Sequence, residues 1–310
     1  MTQQHLPFEV FEQTIRSVQG LRHIELQGEG EPLLHPRFFD MVALAHEVHP
    51  GVKISMITNG SMFTDRNIDS LISGGVEMVM VSIESAKPET FQQIRGGDLN
   101  KVIEGIRRLM EARHRLGNSR PAVGFAVTVL RQTITDLPDI LRLYDELKLD
   151  AGVTVQNLQD MSAYVAHYDQ AMKEQIPRAD DIARLQQSMD MAPDAWAILR
   201  RPVTVAGFYN SLFANWQPSS LTCPWLSRGL YVTADGNALA CCFMKDTPRD
   251  SLGLVNDDIA SILVKREQIQ SQLTGPNVPA GCRNCFIAKA IAQRVNGRSH
   301  QECINQSVDR

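Results

Sequence analysis

The sequence predicts an α/β protein: a unit of parallel strands and helices that reads as lacking its opening strand, followed by a small cysteine-rich unit of β-hairpin and helix. Three observations carry this prediction. Short runs rich in Val, Ile and Met alternate with amphipathic stretches of helical period through the first 160 residues, the rhythm of parallel strands in βα units. That rhythm opens on a helix, so the unit reads as though a strand is missing. All six cysteines fall in the last third of the 310 residues, none before Cys223.

Taken in order, residues 7–19 place Phe8, Phe11, Ile15 and Val18 on one helical face, and Gly20 ends the helix. Leu21–Gln27 reads as a strand, Phe38–Val48 as an amphipathic helix, and Val52–Thr58 as a strand closed by Asn59-Gly60. A helix over 65–73 leads to the apolar strand Val76–Ile83. A helix over 99–115 leads to the strand Ala122–Leu130, and Leu137–Leu147 leads to the strand Val153–Asn157. That makes five strands joined by four helical crossovers. From 161 to 219 the pattern breaks into polar helical stretches with Pro177, Pro193 and Pro202, a helical connector in which Met189, Met191, Trp196 and Trp216 read as local packing.

Between the first strand and the second helix lies Gly28-Glu29-Gly30-Glu31-Pro32. Glycines there allow positive φ and leave amides uncovered, and Pro32 fixes the exit. Ligands of parallel α/β sheets are met at the carboxyl ends of strands, so Glu29 and Glu31 stand where an ammonium group could be held.

Composition sets outer bounds. A hydrophobic fraction of 43% is that of an ordinary soluble globular chain, and a formal net charge of −4 with pI near 6.1 gives no footprint for nucleic acid or an anionic membrane surface. The longest apolar runs are too short to span a bilayer, and no signal-like pattern opens the chain. These features point to the cytoplasm.

In the last third, Cys223-Pro224-Trp225 precedes a hairpin over 229–242 that turns at Asp235-Gly236. Cys241 and Cys242 are adjacent; on a strand they would point to opposite faces, so one serves as ligand and the other as packing. A helix over 258–273 leads to Cys282-Arg283-Asn284-Cys285, a pair able to reach one centre across a turn. Cys223, Cys241, Cys282 and Cys285 suffice for a tetrahedral site, and structural zinc and an iron–sulfur cluster both accept four cysteines. Cys303, in a polar tail, reads as a bystander.

Both halves resemble one family. The first resembles the partial β/α barrel of radical S-adenosylmethionine (radical SAM) enzymes, and the second resembles the C-terminal SPASM or shorter twitch extension that some of them carry. Gly28-Glu29-Gly30-Glu31-Pro32 looks like the family's Gly-Gly-Glu-Pro turn, and the resemblance implies that Gly28, Gly30, Glu31 and Pro32 hold the methionyl ammonium. It implies contacts to the cofactor's ribose and carboxylate from Asn59, Ser82 and Glu84. The family's adenine motif is not recognisable around Val123–Leu130. Cys223, twelve residues, Gly236, four residues and Cys241 look like the opening of the extension, and Cys282-x2-Cys285 looks like its next pair. Nothing follows until Cys303, so the match is closer to a single auxiliary 4Fe–4S cluster than to two.

One departure is serious. The family carries Cys-x3-Cys-x2-Cys after its first barrel strand, and this chain has no cysteine there. Either the natural protein is longer by a strand and a cysteine loop, or this member has lost radical chemistry. The first is favoured, because drift would not remove a whole strand and leave the Gly-Glu-Pro turn intact. The resemblance thus implies a barrel over 1–160, a connector over 161–220, an auxiliary-cluster domain over 221–295 and a polar tail over 296–310. The expected function is an oxidoreductase or a peptide- or protein-modifying enzyme that uses S-adenosylmethionine-derived radical chemistry with an auxiliary cluster, inactive in the chain as it stands. The implied partners are a peptide or small-molecule substrate and an electron-donor protein, with no nucleic acid and no membrane. The alternatives are a non-catalytic iron–sulfur or electron-transfer module and a zinc-stabilised structural protein.

Overall fold

The computed structural model describes residues 4–28, 30–201, 221–255 and 257–295. Glu29, much of the connector with Pro202 and Trp216, and the tail with Cys303 lie outside the described residues. The chain divides into two compact units with interleaved segments: Gly20–Leu158 with Gln175–Phe208, and Met1–Gln19 with Gln159–Glu174 and Tyr209–Arg310. This division differs from the boundaries expected at 160 and 220. Helix α1 (Phe8–Ser17) groups with the cysteine-bearing segments, where Val10 approaches the hairpin turn so closely that a Cβ on Gly236 would stand 3.2 Å from it.

The larger unit is a curled half-barrel of five parallel strands in sequence order: β1 (His23–Glu25), β2 (Lys53–Thr58), β3 (Met78–Ser82), β4 (Ala122–Val129) and β5 (Val153–Asn157). Alternation splits each strand between two faces. On one, Ile54, Met56, Val79, Val81, Val123 and Phe125 are 0% exposed, and Phe125 stacks edge-on against Tyr144 of the helix that follows β4. On the other, Met78, Met80, Ala122 and Ala151 form a cluster with Ile57 and Ala126. This second face is buried at its N-terminal rows and partly exposed at Ile57, Ser82, Ala126 and Thr128. It is a cup open toward the strands' carboxyl ends.

The crossovers are α2 (Phe38–Val48), α3 (Asp65–Ser73), the pair α4 (Pro88–Arg95) and α5 (Leu99–Arg115), and α6 (Leu137–Glu146). Helix α4 is an addition to the expected pattern; Pro88 starts it and Gly96, at φ 69°, ends it. Strand β1 is three residues rather than seven, because its backbone leaves the sheet at Leu26, whose N–H still donates to Ser55 O at 2.8 Å. Of the connector, α7 (Ser162–Val165) and α8 (Gln170–Glu174) belong to the smaller unit. Helices α9 (Ala179–Asp190) and α10 (Pro193–Leu199) belong to the barrel unit, where Arg142 of α6 pairs with Asp194. Met189 packs as expected at 2% exposure, but Met191 follows the end of α9 and is 79% exposed.

The smaller unit contains α11 (Pro224–Arg228), the antiparallel hairpin β6 (Tyr231–Val232) and β7 (Asn237–Leu239), α12 (Thr247–Asp250), a third strand β8 (Ser251–Leu254), α13 (Ile259–Gln272) and α14 (Phe286–Val295). The hairpin turns where expected, with Gly236 at φ 80°. Strand β8 was not expected; it pairs with β7 through a bulge beside Leu239. Because β7 ends at Leu239, Cys241 and Cys242 stand past the strand in a bend and turn, and the argument from strand alternation does not apply to them. No described helix is long and apolar enough to cross a membrane.

Candidate functional site

The Gly28–Pro32 turn follows β1 at the open end of the cup. Neither Gly28 nor Gly30 has positive φ, contrary to expectation. A Cβ on Gly30 would meet nothing within 4 Å and one on Gly28 only Gly30 N at 4.0 Å, so their contribution is uncovered backbone rather than a special turn. Pro32 opens a single 3-10 turn, Pro32–Leu34, and the Glu31 side chain caps it by accepting from the Leu33 N–H at 3.2 Å. The same Oε1 accepts from the Thr58 hydroxyl at 2.7 Å, and Oε2 accepts from the Asn59 N–H at 2.7 Å. Glu31 is thus locked to the end of β2 with acceptor capacity left on Oε2, since a carboxylate oxygen takes about two bonds.

The structure therefore brings Glu31 and Asn59 together. Thr58, not singled out from the sequence, is the residue that joins them; its hydroxyl also accepts from the Gly60 N–H at 3.0 Å. The Asn59 side chain accepts from the Ser61 N–H at 2.8 Å, closing a turn. Ser82 ends β3 on the cup face, half-buried. Glu84 is turned away from such a role: it is 3% exposed and its two oxygens accept from Nε and Nη2 of Arg95 on α4. Beside it, buried Asp136 accepts from the Ser85 hydroxyl at 2.6 Å and from Lys87 Nζ at 2.7 Å. These two anchors fix the chain that leaves β3.

In the smaller unit, Cys223, Cys241, Cys282 and Cys285 line one cavity, walled otherwise by Met161, Trp225, Leu226, Phe243, Met244 and other apolar groups. Its volume is about 20 Å³, space for about one water. Cys242 is buried but does not line it. Burial pushes the Cys241 thiol well above its ordinary value and Cys282 up to about 12, and it raises Cys223, which the N–H groups of Leu226 and Trp225 pull back. Without a metal the three are neutral thiols at pH 7. Among the described residues no three His, Cys, Asp or Glu side chains converge closely enough to hold a single ion.

Residues 2–144 match the family described as the radical SAM superfamily. That stretch of the chain is similar to radical SAM domains. A cofactor-modifying protein for tungsten-containing aldehyde ferredoxin oxidoreductase from Pyrococcus furiosus is 33% identical over 141 residues, covering 44% of this chain and 38% of that protein. GTP 3',8-cyclase of Rhizobium etli is 33% identical over 138 residues, 44% of this chain and 37% of its own. The chain thus spans little more than a third of either relative. Among solved structures, anSMEcpe with bound AdoMet aligns at TM-score 0.63 and 15% identity over 97% of this chain and 89% of its own. Streptococcus suis SuiB bound to its precursor peptide SuiA aligns at TM-score 0.64 and 13% identity over 93% and 67%. At these identities the likeness is one of fold.

The radical SAM family implies S-adenosylmethionine and an iron–sulfur cluster. For the cofactor, the uncovered Gly28 and Gly30 and the open acceptor on Glu31 fit an ammonium group. For the family's own cluster, no cysteine of this chain lies in or near the barrel segment.

Proposed function

We propose that this chain supplies the cofactor-binding cup and an auxiliary-cluster module of a radical SAM enzyme that modifies a peptide, a protein side chain or a small molecule. One observation carries the reading: cysteines from three separate stretches of the sequence line a single apolar-walled cavity while the Gly-x-Gly-Glu-Pro turn stands locked at the cup's mouth. Gly28, Gly30, Glu31 and Pro32 would bind the methionyl end of the cofactor, with Asn59 and Ser82 toward its ribose; Glu84 would act through Arg95, by holding the backbone that follows β3. When bound to the family's cluster, the cofactor supplies a radical that abstracts hydrogen. What this chain's residues contribute is position, an uncovered backbone and exclusion of water.

For Cys223, Cys241, Cys282 and Cys285, an all-thiol, carboxylate-free donor set fits an auxiliary 4Fe–4S cluster. Zinc at about 2.3 Å from each sulfur would hold four thiolates within about 4 Å of one another. The thiols do not gather that tightly, which favours the more extended cluster. Such a cluster exceeds the present cavity, so loading would turn the side chains outward from it.

The test is anaerobic expression of the 310-residue chain with iron and acid-labile sulfide counted per chain. About four of each are expected, falling to near zero in the Cys282→Ser, Cys285→Ser double variant. With reductant and S-adenosylmethionine, this chain should form no 5′-deoxyadenosine, since no thiolate triad lies in its barrel segment. Zinc alone, or turnover by the chain as it stands, would overturn the reading.

A further inference from the structure

The cup has a polar floor that the cofactor reading does not use. Glu25, the last residue of β1, is in register with Ser55 of β2, which is in register with Met78 of β3 and through it with Ala122 of β4. Side chains in register on parallel strands share a face, so Glu25 and Ser55 stand in one row of the concave side, below the rows at its open end. Ser55 is 3% exposed, Met78 6% and Ala122 0%. The next rows, toward the open end, carry Ile57, Met80, Gly124, Ser82 and Ala126, none of them charged.

Among the described residues, Glu25 Oε1 and Ser55 Oγ are buried with no hydrogen bond to any third group, and the Ser55 hydroxyl lies near enough to the Glu25 carboxyl to act on it. Leaving such groups unbonded costs on the order of 1–3 kcal/mol apiece, more for a charge. Nothing in the fold requires them, since the neighbouring strands fill the same row with Met and Ala. Desolvation raises the Glu25 carboxyl to about 7, with the nearby Ser55 hydroxyl opposing it. The ionisable neighbours on the same face, His23 and Lys53, lie one row further from the open end and give Oε1 no bond. An acceptor pair beneath neutral, largely apolar rows suits a ligand that is apolar along its length and ends in an N–H donor.

We propose that Glu25 and Ser55 bind a cationic N–H group, ammonium or guanidinium, at the buried end of the substrate. This deepens the reading above by naming the chemistry of the substrate's terminus. The carboxylate would accept from the cation, Ser55 Oγ would accept a second N–H, and the Met and Ile side chains above would line the stem. Specificity would follow from the penalty of leaving both oxygens unpaired when a neutral apolar terminus enters.

The experiment needs neither cluster nor cofactor, so its failure is distinguishable from failure of the iron count. The 310-residue chain, carrying 13C at glutamate carboxyls, is titrated with propylammonium chloride and with methylguanidinium chloride against sodium chloride at equal ionic strength. Glu25→Gln assigns the resonance by deleting it. A saturable shift of that resonance with either organic cation, absent with sodium, is expected, and Ser55→Ala should weaken it at least threefold. Should Glu25→Gln fail to fold, the resonance is the one perturbed by Ser55→Ala. No saturable shift, an equal shift with sodium, or saturation unaffected by Ser55→Ala would overturn the assignment.

Discussion

Two glutamates show how much a single residue's role depends on what the fold sets beside it. Glu31 and Glu84 both follow strands at the open end of the cup, Glu31 within the Gly-x-Gly-Glu-Pro turn and Glu84 as a weaker match to the family. Thr58 and the Asn59 N–H hold Glu31 at the mouth, whereas Arg95 encloses Glu84. Arg95 lies eleven residues beyond Glu84 on a helix without a clear apolar period, so the pair could not be read in advance. Glu25 was legible only as a strand residue, because burial and the lack of a partner are properties of the sheet. Its titration makes a prediction. An acid raised from 4.5 to about 7 keeps its proton in the folded chain while the unfolded chain has lost it, so unfolding releases a proton across that window. Stability should therefore fall as pH rises from about 4.5 to 7 and level off above, by up to about 3 kcal/mol from this group. Urea midpoints at pH 5 and 7.5 measure it. Glu25→Gln should flatten the difference, and an unchanged difference would remove Glu25 as its source.

At the scale of elements, sequence periodicity was informative wherever burial is one-sided. Helices Phe38–Val48, Asp65–Ser73 and Leu99–Arg115 stand as expected because each carries a continuous buried stripe. Helix α4 buries only Phe91, and so its caps at Pro88 and Gly96 were its only signal. Strand β8 is four residues long with Gly253 at φ 138°, too short and irregular for alternation to show. The Cys241-Cys242 pair was assigned by strand parity, but its surroundings, not parity, place Cys241 and not Cys242 in the cavity. Close packing between β4 and β5 gives the prediction at this scale. A Cβ on Gly124 would stand 2.3 Å from Gly152 O and 2.9 Å from Met80 Sδ. Backbone cannot yield as a side-chain tip can, so Gly124→Ala should cost about 1–3 kcal/mol and Gly124→Val more. Thermal melts of the two variants check this. A neutral Gly124→Ala would mean that β4 and β5 separate freely.

For the whole molecule, the proposed cluster would give the two units different sources of stability. The barrel unit carries a continuous apolar layer between sheet and helices, with Ile54, Met56, Val79, Val81, Val123 and Phe125 fully enclosed. The smaller unit has two- to four-residue strands, a five-residue helix at Cys223 and four thiols facing a cavity. Isolated sheets of that size are marginal without a staple, and a bound cluster stabilises by the free energy of ligation. Removing it should loosen one unit and spare the other. Treating the reconstituted chain with ferricyanide and a chelator, followed by brief proteolysis, should give new cuts within 221–295 while a fragment spanning Gly20–Leu158 persists. The same digestion of the loaded chain should leave 221–295 protected. If loading changes no cut there, the four cysteines do not hold the unit together; if the barrel fragment is lost at the same rate, the two units unfold as one and their stabilities are not separable.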